Sequence, residues 1–79
     1  MRSMRTLETR MLGYAIERLD EFDDHGLPRS VRYEVLCPHT QAVLASRATL
    51  REARRFVLVH ELAAIKRDAA ARAARTRVA

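Results

Sequence analysis

Glycine, cysteine and aromatic residues are scarce in this chain of 79 residues. With only Gly13 and Gly26, the chain has no glycine-rich loop of the kind that cradles a phosphate group. The single cysteine, Cys37, excludes a disulfide within the chain. Two tyrosines, two phenylalanines and no tryptophan offer few surfaces on which nucleic-acid bases could stack. The longest apolar run, FVLVHELAAI, falls short of the ~18 residues of a membrane span, so no membrane association is predicted.

The length predicts one small domain over residues 1–79, which buries only about 60% of its unfolded surface. Domains of this size need well-ordered packing or a partner for stability. One cysteine and no secretory leader predict a reducing compartment, the cytoplasm of a bacterial-type host.

Basic charge is concentrated late in the sequence. The net charge is +5, with −4 in residues 20–25 and +5 in residues 51–79, and arginine accounts for fourteen of the fifteen basic residues. Arginine makes bidentate contacts to phosphate and carboxylate groups. The arginines therefore indicate an anionic partner, although a high-GC coding bias would also produce a chain this rich in alanine and arginine.

Residues 4–25 are predicted to form a helix. Apolar residues recur there at steps of three and four and would make one stripe: Met4, Leu7, Met11, Leu12, Ala15, Leu19 and Phe22. Gly26 would end the helix in the left-handed conformation, Leu27 would make the hydrophobic contact that follows such an end, and Pro28 would prevent the helix from continuing. Gly13 would cost about 1 kcal/mol within such a helix.

An antiparallel hairpin is predicted next. Residues 31–37 alternate strictly between the two sides of a half-buried strand, and residues 42–47 form the second strand. A second helix should follow over residues 50–72, because Thr49 and Glu52 form a capping box. Residues 73–79 are expected to be a frayed basic tail. The predicted fold class is α+β, in the order αββα.

The second helix carries two apolar sides. One side consists of Leu50, Ala53, Phe56, Val57, His60, Ala63 and Ala64, and the other consists of Leu58, Leu62 and Ile65. The hairpin is expected to cover the first side and the N-terminal helix the second. A second subunit or a partner protein is the alternative cover for Leu58, Leu62 and Ile65. A monomer is favoured over a homodimer.

No catalytic, cofactor-binding or metal-binding residues are predicted, and the chain is interpreted as a non-enzyme. Cys37 and His39 lie close in sequence, but no third group is predicted to orient them as a catalytic pair. Zinc would need four ligands. His60 is interpreted as a histidine at the core or its rim, held by a hydrogen bond.

The acidic run Asp20, Glu21, Asp23 and Asp24 would lie at the end of the first helix, where the helix dipole disfavours negative charge. Such a run lacks the converging ligand geometry of a calcium or magnesium site. Two interpretations stay open. Arg29, Arg32 or arginines of the second helix neutralise the run, or it contacts a basic patch on a partner.

The basic residues of the second helix form the other candidate binding surface, for a protein, a nucleoprotein complex or nucleic acid: Arg51, Arg55, Lys66, Arg67, Arg72 and Arg75. Thr49, Glu52 and Ala53 after a hairpin resemble the arm-type DNA-binding domains of tyrosine recombinases. That resemblance implies a direct DNA-binding role. The predicted hairpin lacks the third strand of those domains.

The same residues, with Leu50 and Arg51, resemble the hairpin and helix of HicB-type antitoxins, which implies a role as a protein-partner regulator.

The preferred functional interpretation rests on the general class of protein that the chain resembles rather than on a sequence motif. The chain is similar to the very small inhibitors that phages encode against bacterial CRISPR or restriction systems, in being single-domain, non-enzymatic and segregated in charge. It would dock stoichiometrically on a host nucleoprotein complex through its acidic and basic patches.

Overall fold

Four antiparallel strands followed by one long helix make up the computed structural model, which describes residues 2–76. The strands are β1 (Arg2–Met11), β2 (Tyr14–Phe22), β3 (Pro28–Leu36) and β4 (Val43–Arg47), and the helix is α1 (Leu50–Thr76). The strands form one sheet in the order β1-β2-β3-β4, so each strand is hydrogen-bonded to its neighbours in sequence. The predicted αββα order is wrong, because the chain folds as ββββα.

The predicted N-terminal helix is replaced by the hairpin of β1 and β2. Leu12 and Gly13 make its two-residue turn, with φ angles of 53° and 86°. Two consecutive residues with positive φ match the twist of paired strands, and glycine adopts this conformation without steric cost. The apolar spacing was misleading, since Met4 and Leu7 are exposed, whereas Ile16, which was outside the predicted stripe, is fully buried.

Gly26 also has a positive φ, of 78°, but it lies in the turn between β2 and β3 rather than after a helix. Asp23 closes this turn, because its carboxylate accepts the backbone N–H groups of His25 and Leu27 at 2.9 Å each. Leu27 makes no cap contact of the predicted kind, since 60% of it is exposed. Gly26 therefore marks the end of an element, as predicted, but that element is the strand β2 and not a helix.

The predicted hairpin over the middle of the chain corresponds to β3 and β4, which pair antiparallel with Val35 opposite Ala45. β3 pairs with β2 on its other side, where Ile16 lies opposite Val35. The sheet therefore has at least three strands next to the helix. One of them is the third strand that the predicted two-stranded hairpin lacked.

The helix begins where the capping box predicts. The N–H of Glu52 donates to Oγ1 of Thr49 at 3.1 Å, which satisfies one unpaired donor of the first turn. Its end differs from the prediction, because α1 continues to Thr76 and residues 73–76 are helical rather than frayed. The rest of the predicted tail, residues 77–79, lies outside the described residues.

The core lies between one side of α1 and the part of the sheet near the β1–β2 turn. Its buried members are Tyr14, Ile16, Val35, Ala53 and Val57, and Met11, Tyr33, Ala45, Leu50 and Phe56 pack around them. Small and branched side chains from α1 thus sit directly on β2 and β3. Residues 2–76 contain no N-terminal helix that could cover the opposite side of α1, so that side is open.

Candidate interaction surfaces of α1 and the sheet

An exposed apolar stripe runs along α1 on the side that faces away from the sheet. Leu58 is 47% exposed, Leu62 56% and Ile65 53%. At 100° per residue, Leu58 and Leu62 lie about 140° around the helix from the buried Ala53 and Val57. The second apolar side predicted from the sequence is therefore present, but the described chain does not cover it.

The C-terminal half of α1 projects beyond the sheet. A helix of 27 residues is about 40 Å long. Ala64 is partly buried, and every residue from Ile65 to Arg75 is exposed. The molecule consequently measures 67 × 21 × 16 Å. We call residues 65–76 the helical arm, and its formal charge is +3.

The predicted basic surface divides into two parts. Arg51, Arg55 and Lys66 are exposed and lie within about 60° of one another around α1, beside the apolar stripe. Arg67, Arg72 and Arg75 point in different directions around the helical arm instead of extending that side. The arm thus presents positive charge around its circumference.

The predicted acidic run lies at the opposite end of the molecule. In an up-and-down sheet, the β1–β2 and β3–β4 turns share one end and the β2–β3 turn occupies the other. Asp23 and Asp24 lie in the β2–β3 turn, while Leu12, Pro38 and Asp68 border one cleft at the arm end. The run is therefore not at a helix terminus, and the dipole cost predicted for it does not apply.

Partners within the chain neutralise part of the acidic run. Nε of Arg18 lies 3.0 Å from Oδ2 of Asp20, and Nη1 of Arg32 lies 3.5 Å from Oε1 of Glu21. Asp20 is only 9% exposed, so its carboxylate is less accessible than that of a residue that binds a partner at the surface. Arg32 was an expected partner, whereas Arg18 was not. Asp20 and Glu21 are therefore held by arginines of this chain.

The open side of the sheet balances its charges. Arg5 lies between Glu17 and Glu34 on adjacent strands, with its guanidinium 3.4 Å from Glu17 and hydrogen-bonded to Glu34. Leu19 is 5% exposed on the same side, with Arg5 opposite it on β1. A surface whose arginine is shared by two carboxylates offers little net attraction to a polyanion. The basic surface of the molecule is on α1 rather than on the sheet.

A hydrogen-bonded cluster links the sheet to α1 beside a cleft of about 480 Å³. The hydroxyl of Tyr14 donates to Oε2 of Glu61 at 2.9 Å and lies 2.9 Å from Nδ1 of His60. Because the hydroxyl proton goes to Glu61, Nδ1 of His60 is the donor to the tyrosine oxygen. This confirms the interpretation of His60 as a histidine held by a hydrogen bond at the core. Tyr14 was missed, because it was assigned to a helix.

Burial and the neighbouring Glu61 carboxylate raise the pKa of Tyr14 above its usual value. In the same cleft, hydrogen bonds from the Thr40 side chain and from the backbone of Thr40 and His39 lower the pKa of the Cys37 thiol. Within residues 2–76, no group of three or more histidine, cysteine, aspartate or glutamate side chains could hold a metal ion. The cleft is thus a junction between the sheet and α1 that also contains the Cys37 thiol.

No protein family, curated protein or solved structure matches this chain. Among the described residues, no helix combines the length and the apolar character needed to cross a membrane. The exposed sides of α1 are therefore the candidate functional surfaces.

Proposed function

We propose that this chain is a small, non-catalytic nucleic-acid-binding protein that contacts phosphate groups through the helical arm. The observation that carries the proposal is the arm itself, a helical segment of charge +3 whose residues 65–75 are all exposed. Arginine side chains on such an exposed segment can make bidentate contacts to phosphate groups. Contacts of this kind are independent of sequence and weaken as salt displaces them.

Two further features support this choice over the first-choice interpretation from sequence. The sheet next to the helix has at least three strands, so the missing strand no longer separates this chain from the arm-type domains of tyrosine recombinases that it resembles. Asp20 and Glu21, proposed as bait for a basic groove, are paired with arginines of the same chain. In this chain the nucleic acid would contact the helix rather than the sheet, because Arg5 on the open side of the sheet is held by Glu17 and Glu34.

A titration of labelled duplex and single-stranded nucleic acid tests the proposal. We expect binding at about 50 mM salt that falls steeply toward about 200 mM, because released counterions drive it. The triple substitution of Arg67, Arg72 and Arg75 to Glu should abolish the binding and flatten the salt dependence.

The matched control substitutes three exposed arginines of β1 and β3, Arg2, Arg10 and Arg29, to Glu. Both triple variants change the formal charge by the same amount, so a difference between them reports the location of the charge rather than its total. Equal loss in both variants, or no binding by the unmodified chain at the lower salt, would contradict the proposal.

Docking on a host nucleoprotein complex as a stoichiometric inhibitor is the second candidate, and the separation of charge favours it. Asp23 and Asp24 lie at one end of a molecule 67 Å long, and the basic arm is at the other. An inhibitor of this type would contact protein with the acidic end and nucleic acid with the arm. In the same titration, it would bind a nucleoprotein complex but not free nucleic acid, and Asp24→Lys would weaken the complex.

A further inference from the structure

We infer that α1 pairs in parallel with α1 of a second copy, along the stripe formed by Leu58, Leu62, Ile65 and Ala69. This inference does not rest on nucleic-acid binding. The chain exposes more surface than a compact monomer of its mass would. The accessible area is 6166 Å², whereas a compact monomer of 9.1 kDa exposes only about 4,900 Å².

The excess of about 1,300 Å² exceeds the ~800 Å² that each partner contributes to an interface of standard size. The radius of gyration gives the same result, at 17.2 Å against about 11.6 Å for a compact chain of this length. Much of this extension comes from the helical arm, whose residues 65–75 are all exposed. An isolated helical segment of this length is only marginally stable in water, so a partner along the arm would stabilise it.

The spacing of the stripe identifies the partner as another helix. Leu58, Leu62, Ile65 and Ala69 follow one another at intervals of four, three and four residues, which is the repeat of positions d and a in a coiled coil. All four side chains are exposed. Arg55 and Arg72 occupy the next positions of the repeat at either end. Their like charges end the apolar contact there, so the seam covers about two heptads.

Charge complementarity identifies that helix as a second copy in parallel orientation. Glu61 and Lys66 take positions g and e beside the seam. In a parallel pair, position g of one helix meets position e of the next heptad on the other, so Glu61 faces Lys66 of the second copy twice. In an antiparallel pair, g meets g, and Glu61 would face Asp68 of the second copy. Tyr14 already fixes the Glu61 carboxylate at the edge of the seam.

The rest of the fold permits this arrangement. The seam lies about 140° around α1 from Ala53 and Val57, so each sheet stays on the outer side of its own helix. A parallel pair also brings both helical arms to the same end of the assembly. Six formal positive charges then gather in one place, where an antiparallel pair would separate them into two groups of three.

Light scattering on the purified chain, without nucleic acid, tests the pairing. We expect a mass of twice 9.1 kDa, and Leu62→Glu should return the mass to 9.1 kDa with the circular dichroism of the sheet and the first half of α1 retained. Leu27→Glu is the matched control, because Leu27 is 60% exposed in the β2–β3 turn and lies outside the seam. A 9.1 kDa mass for the unmodified chain, or a dimer that survives Leu62→Glu, would overturn the inference.

Cysteine crosslinking separates the two orientations. In a Cys37→Ser background, Ala69→Cys should form a disulfide dimer under mild oxidation, because position a meets the same position in a parallel pair. In an antiparallel pair, the two introduced cysteines would be about 16 Å apart and would not react. Ala70→Cys, which faces away from the seam, is the control. Equal crosslinking at positions 69 and 70, or none at 69, would rule out the parallel seam.

Discussion

Tyr14 joins the sheet to the helix through both apolar and polar contacts. Its ring belongs to the buried core, and its hydroxyl contacts both His60 and Glu61 on α1. The ring of His60 lies edge-on to that of Tyr14, with centroids 5.6 Å apart. One residue therefore contributes apolar burial and two polar contacts at the same junction, which fixes the rotation of α1 on the sheet.

Tyr14→Phe is expected to destabilise the fold by about 1–2 kcal/mol, because the substitution leaves two partly buried polar groups without their partner. The pKa of Tyr14 is raised in the folded state, so its contribution to stability is full below the unfolded pKa of about 10. That contribution is lost as pH rises through the higher folded value. Thermal unfolding of the two proteins between neutral pH and about pH 11 should therefore converge at the alkaline end. A constant difference across this range would contradict the assignment.

Gly13 provides a test whose sign distinguishes the two accounts of the N-terminal segment. In a helix, Gly13→Ala would stabilise the chain by about 1 kcal/mol. In the observed turn, with φ at 86°, alanine should destabilise it by about 1–2 kcal/mol. An added β-carbon would lie 3.7 Å from Pro38, which is an ordinary contact. The cost therefore comes from the positive φ angle and not from a clash with a neighbouring residue. Denaturant unfolding measures the difference, and Gly13→Asn should cost less because asparagine tolerates this conformation.

At the scale of elements, the second half of the chain was predictable from sequence and the first half was not. The hairpin of β3 and β4 and the start of α1 carry local signals, namely strict alternation and the Thr49 cap. In the first half, the helix-like spacing of Met4, Leu7 and Met11 was stronger than any strand signal. β2 pairs with β1 on one side and with β3 on the other, and such contacts between strands are weakly encoded in the local sequence.

The candidate surfaces were likewise predictable in the second half of the chain and not in the first. The apolar side of α1 with Leu58, Leu62 and Ile65 was predictable, because helical periodicity depends only on the helix itself. Its cover was mispredicted, since that depended on an N-terminal helix that does not form. The pairing of Asp20 with Arg18 was likewise missed, because these residues are neighbours on one side of a strand but would point apart on a helix.

At the scale of the whole molecule, shape and charge favour assembly over an isolated chain. The part of the chain that the structure describes contains one small core, centred on Ile16, Val35 and Val57, at one end of the sheet. Stability from so small a core is limited in a domain of 79 residues. Pairing along α1 would add apolar burial, order the arm and gather the basic charge, so one contact would serve both stability and binding.

Linkage between folding and assembly gives a concentration test of this view. If the folded state is a pair of chains, each tenfold rise in protein concentration favours it by about 1.4 kcal/mol. For a dimer of this size, that change should raise the thermal midpoint by about 4 °C. Leu62→Glu should remove the dependence, because it returns the chain to a monomer, while Leu27→Glu should preserve it. A midpoint of the unmodified chain that stays constant over a hundredfold range of concentration would show that folding does not require the second copy.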